Sequence, residues 1–107
     1  MFFDELHRVM KDGGQAEIIH PYVKSDRAFW DPTHVRFIHE MAWYYLSKEW
    51  RTLQGLDHYP ADHDFTVVTI NADLQGDIGT RNLEFQNMTR NHYWNAVGDL
   101  MVIIEKV

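Results

Sequence analysis

The sequence predicts an α+β domain in which a small antiparallel sheet of two or three strands packs against two or three helices. Three observations lead there. Phe65-Thr66-Val67-Val68-Thr69-Ile70 is a β-branched run between turn residues, the pattern of a strand. The stretches Trp30 to Leu53 and Asn91 to Val107 place apolar residues at helical spacing. No linker or low-complexity segment separates these elements, so all 107 residues are expected to form one domain, 1–107.

Taken in order, Phe2 or Phe3, Leu6, Val9 and Met10 fall at helical spacing and stop at Gly13-Gly14, which gives a short first helix. Ala16 to Val23 reads as a strand, which Pro21, with no N–H for a ladder, either pushes to a sheet edge or bends. Asp31 as N-cap and Pro32 in the first turn then open the longest predicted helix, which runs to Leu53. At about 100° per residue, Val35, Ile38, Ala42, Tyr45, Leu46 and Leu53 share one arc, with Trp43 and Trp50 at its edge. Phe37, Met41 and Tyr44 lie on the opposite side, so this helix is expected to be sandwiched.

Gly55 and Pro60 break the chain before the strand at 65–70, and Asn71 to Thr80 reads as a loop. Leu83 and Phe85 alternate with Glu84 and Gln86, which suits a return strand and a hairpin, although the same residues could open the last helix. From Asn91 to Val107 the helical period returns. Gly98 weakens that reading by about 1 kcal/mol relative to Ala, and Leu100 to Ile104 would also serve as a buried strand.

Composition narrows the function classes. The formal charge is -6, and the ten Lys and Arg are scattered, so direct nucleic-acid binding is not expected. Cysteine is absent, which excludes disulfides and thiolate chemistry. No run of about 18 apolar residues suggests a membrane span. Met1-Phe2-Phe3 is followed at once by Asp4 and Glu5, unlike a signal peptide, so a cytoplasmic location is expected.

No catalytic set stands out: Ser25 and Ser47 lack the context of a nucleophile, and Gly76 and Gly79 do not form a phosphate loop. The two-faced helix instead argues for association. Phe37, Met41 and Tyr44, with Arg36, Glu40 and Arg51, form the expected interface of a homo-oligomer or of a complex with a protein partner. The expected function is therefore that of a small acidic intracellular protein, a self-associating binding or inhibitory module without catalysis or cofactor.

Three other readings compete. His58, His63 and Asp64, completed by His20, would suit zinc or a related divalent metal, since the loop 57–64 can bend both imidazoles towards one ion. Arg81 and Arg90 with the rings of Tyr93 and Trp94 could hold an anionic small molecule by charge and stacking. The acidic balance would also suit a nucleic-acid mimic.

Overall fold

In a computed structural model the protein is described over residues 2–34 and 36–107. Val35, expected on the core arc of the long helix, lies outside the described residues. The fold is α+β, with a three-stranded antiparallel sheet in the order β1-β3-β2, where β1 is Gln15–Pro21, β2 is Phe65–Leu74 and β3 is Val97–Lys106. The α-helices are α1 (Phe2–Val9), α2 (Lys48–Leu53) and α3 (Leu83–His92). Short 3-10 turns cover Asp26–Ala28, Glu40–Leu46 and Ile78–Thr80. Pro21 ends a strand at the sheet edge, as its missing donor requires.

The chain gathers into two compact units. The first holds residues 2–18, 40–70 and 102–107. There Gly13 and Lys106 begin the pairing of β1 with β3 (Gly13 N–H to Lys106 O, 3.0 Å; Lys106 N–H to Gly14 O, 2.9 Å), and Val107 N–H reaches Asp64 O at 3.1 Å beside β2. Trp43, Leu46, Phe65, Val102 and Ile104 are its buried apolar residues. α1 buries none of its residues fully and is held by its edge, with Phe3 against Trp43 (5.6 Å, T-shaped) and His7 against Phe65 (5.2 Å, T-shaped).

The second unit holds residues 19–39 and 71–101. Tyr22 N–H donates to Gly98 O (2.9 Å) and Gln75 N–H to Ala96 O (2.9 Å), which brackets the other end of the ladder. Tyr22, Ala28, Ala96, Val97 and Leu100 form its core.

Four expectations are corrected. The long helix from Trp30 to Leu53 does not form. Asp31 makes the bonds of a cap, its carboxylate accepting from Thr33 N–H (2.9 Å) and Thr33 Oγ1–H (2.7 Å), but the turn it closes is not continued into a helix. Ile38 pairs with Tyr22 in a parallel bridge, and only the 3-10 turn 40–46 and the two-turn α2 are helical. Aromatic and β-branched residues, poor helix formers, fill this segment and left the outcome to packing.

The last predicted helix, 91–107, is instead the central strand β3. Leu100, Val102 and Ile104 are wholly buried at a period of two. Because Met101 and Ile103 between them are also apolar, the run matched a helix equally well, as a buried central strand does. The hairpin through Leu83 and Phe85 is replaced by α3, which Asn82 caps by accepting from Phe85 N–H at 2.8 Å. β2 meanwhile extends past Ile70 to Leu74, into the predicted loop.

Since β3 supplies buried side chains to both units, Leu100→Ala and Ile104→Ala should each cost about 2–5 kcal/mol of unfolding free energy. Urea unfolding would read this, with Ile19→Ala on exposed β1 surface expected to change stability by less than about 0.5 kcal/mol.

Candidate functional site

The feature that stands out in the second unit is a chain of aromatic side chains, joined through Phe29 yet open to solvent. It begins with a carboxylate. Asp26 Oδ1 accepts from Trp94 Nε1–H (2.7 Å), Asp26 Oδ2 accepts from Asn95 Nδ2–H (2.8 Å), and Asp26 N–H donates to Asn95 Oδ1 (2.7 Å). Asn95 N–H also donates to Lys24 O (2.9 Å). To face Asp26 in this way Asn95 takes φ 61°, a left-handed conformation that asparagine tolerates better than most residues.

The turn 26–28 sends Phe29 out beside Trp94. The Phe29 ring stacks on Phe37 (centroids 4.4 Å, planes 11° apart) and leans on Trp94 (5.7 Å, 35°). Despite these contacts Phe29, Phe37 and Trp94 remain 51%, 48% and 53% exposed. Their chain neighbours Trp30 and Tyr93 are exposed as well. The indole edge of Trp94 is thus committed to Asp26 while much of its surface is free for a partner.

This patch joins residues that the sequence had divided between two sets, Phe37 from the expected interface and Trp94 from the expected ligand site. Phe29, Asp26 and the role of Asn95 were missed. The available signal was the pairing of Phe29-Trp30 with Tyr93-Trp94, two aromatic doublets each next to a polar turn residue.

The other expected interface residues do not form one helix face. Met41 and Arg36 are exposed, Glu40 and Tyr44 are half-buried, and Arg51 is buried at 5% exposure. Arg51 is a structural cation: its guanidinium donates to Tyr45 O (2.7 Å) and His63 O (3.1 Å). In the expected ligand set, Arg81 pairs with Asp77 (3.4 Å) and lies over the Phe85 ring (4.5 Å), and Arg90 is half-buried on α3.

The expected metal ligands have other partners. His63 is buried, and its Nδ1 is 2.8 Å from Asp4 Oδ1, a contact that holds the Asp4 carboxyl below its ordinary range. Asp64 accepts from Lys48 N–H (2.9 Å) at the start of α2, and His58 is exposed. His20 lies with Nδ1 2.9 Å from Pro21 O, and burial pushes its pKa down. Among the described residues no three His, Asp or Glu side chains are grouped to hold a metal ion, and no helix is long and apolar enough to cross a membrane.

Comparison with protein-family models, curated proteins and solved structures finds no match for this chain. The site is therefore read from its own geometry.

Hydrogen bonds from Asn95 first, and then Trp94, lower the pKa of Asp26 from the ordinary 3.8. A carboxylate with a depressed folded pKa stabilises the fold above its unfolded pKa, and this contribution is lost as pH falls through the folded value. Acidification below about pH 4 should therefore release Trp94 and shift its fluorescence. Asp26→Asn should remove that part of the transition while leaving the Asp4 contribution in place.

Proposed function

We propose that the protein acts by association, as a self-associating binding or inhibitory module whose contact surface is the Phe29, Phe37 and Trp94 patch. One observation carries this reading: Phe29 touches both Phe37 and Trp94, and all three rings still leave about half their surface to water. Single exposed aromatics are ordinary, whereas a contiguous set is the composition of an interface core. Such rings supply large apolar area with few rotatable bonds, so they dominate binding energy where they occur.

The contacts around the patch favour a pre-organised surface. Asp26 fixes Trp94, and Phe29 is packed between Phe37 and Trp94, so association would immobilise little that is not already held. With a net charge of -6, two copies repel weakly at long range, and self-association should strengthen as salt screens that repulsion.

Light scattering over a range of protein concentration tests the reading. Wild type should rise above the monomer mass, and Phe37→Ser should weaken the association by roughly 30-fold or more, the effect of losing about 2 kcal/mol at an interface anchor. Circular dichroism of the variant should be unchanged, since Phe37 is half exposed. A wild type that stays monomeric at every concentration and salt would refute self-association.

A further inference from the structure

A second surface, independent of the aromatic patch, lies in the first unit beside β2. In the order β1-β3-β2 this strand has a neighbour on one side only. Among the described residues no main-chain hydrogen bond from outside the sheet reaches Thr66 to Leu74. Natural edge strands are commonly blunted by Pro or Lys, yet β2 contains neither and is uncharged from Phe65 to Ala72.

A shallow groove opens at the start of β2, lined by Thr66 and Val67 together with Tyr44, Ser47, Glu49, Trp50 and Leu53. Its walls are fixed from both ends. Ser47 caps α2 by accepting from Trp50 N–H (3.2 Å), Asp64 just before β2 accepts from Lys48 N–H (2.9 Å), and buried Arg51 ties α2 to His63 O (3.1 Å). Leu53 is 76% exposed, so apolar wall faces solvent.

From this arrangement we infer that β2 and α2 form a strand-addition groove, which takes an extended peptide segment of a partner protein as a fourth, edge strand. The reading goes beyond the patch and does not depend on it. Open main-chain donors and acceptors specify a strand, because only an extended chain repeats its polar groups at the spacing of a sheet edge. Alternate side chains of that strand would point into the groove, where Trp50, Tyr44 and Leu53 suit an aliphatic residue. Glu49 is exposed in the same wall and selects a Lys or Arg on the incoming segment by charge. The occupant is thus an extended segment whose groove-facing positions, two residues apart, carry aliphatic residues and at least one basic residue.

Amide hydrogen exchange by NMR on the full chain tests this with the peptide acetyl-Thr-Val-Thr-Lys-Thr-Val-amide, whose Val and Lys side chains share one face. Because the main chain supplies the affinity, this probe should bind at millimolar concentration and slow exchange of alternate β2 amides between Thr66 and Ile70, those facing away from β3. N-methylation of alternate peptide residues, which removes the donors along one edge, should abolish the protection. Glu49→Lys, an exposed change that leaves the fold intact, should weaken the peptide several-fold in low salt and by much less in about 1 M salt. No protection at millimolar peptide, or equal binding of the N-methylated peptide, would overturn the proposal. Protection of the same amides in peptide-free protein that forms with a rise to dimer mass would overturn it in favour of a second copy on the edge. Phe37→Ser should leave peptide protection unchanged, which keeps this test apart from that of the patch.

Discussion

β3 has a strand on each side, and the rest of the architecture follows from that position. Leu100, Val102 and Ile104 are removed from water completely, so the backbone that carries them is enclosed too. A buried N–H or C=O left without a partner costs about 1–3 kcal/mol, and several such groups together would cancel the gain from burying the side chains. β1 and β2 are therefore required on both flanks. They in turn each keep one edge open. On β1 that edge carries Glu17 and ends in Pro21, whereas β2 is neutral over most of its length.

The aromatic patch shows a different use of polar groups. Asp26 does not balance a cation there; it accepts two neutral donors, from Asn95 and Trp94, and thereby sets the direction of an indole ring. Arg51 acts similarly with carbonyl oxygens as its partners. Both charged groups serve as connectors between main-chain segments that no helix or strand would bring to those positions. Loops held this way can present apolar surface without collapsing onto it.

This distinction explains what the sequence revealed. Strands with a strong β-branched signature, such as 65–70, and a helix bounded by Gly13-Gly14 were legible because local propensity and tertiary packing agree in them. The segment 30–53 was not, since its aromatic residues fit a helical period by count while the Ile38 bridge to Tyr22 and the Phe29 ring against Phe37 draw the chain elsewhere. β3 was hidden for the opposite reason: its half-buried face, with Met101 and Ile103, is apolar like the buried one, which erased the alternation that marks an exposed strand. Of the candidate site, Phe37 and Trp94 were noticed singly, but their junction through Phe29 depends on a turn and on an Asn at positive φ, which periodicity does not report.

The pairing of β1 with β3 has a kinetic consequence. Gly14 meets Lys106 and Tyr22 meets Gly98, so the contacts that create the sheet join residues separated by most of the chain. Closing so long a loop is entropically uphill before any of the ladder forms, and domains rich in such contacts fold in about milliseconds to seconds rather than microseconds. During that interval β2, with its high β-propensity and little charge, is exposed on both sides instead of one. The step that limits how fast this protein reaches its native state is thus also the one during which it is most prone to aggregate, and crowded or concentrated refolding should lose material at that step before the finished sheet does.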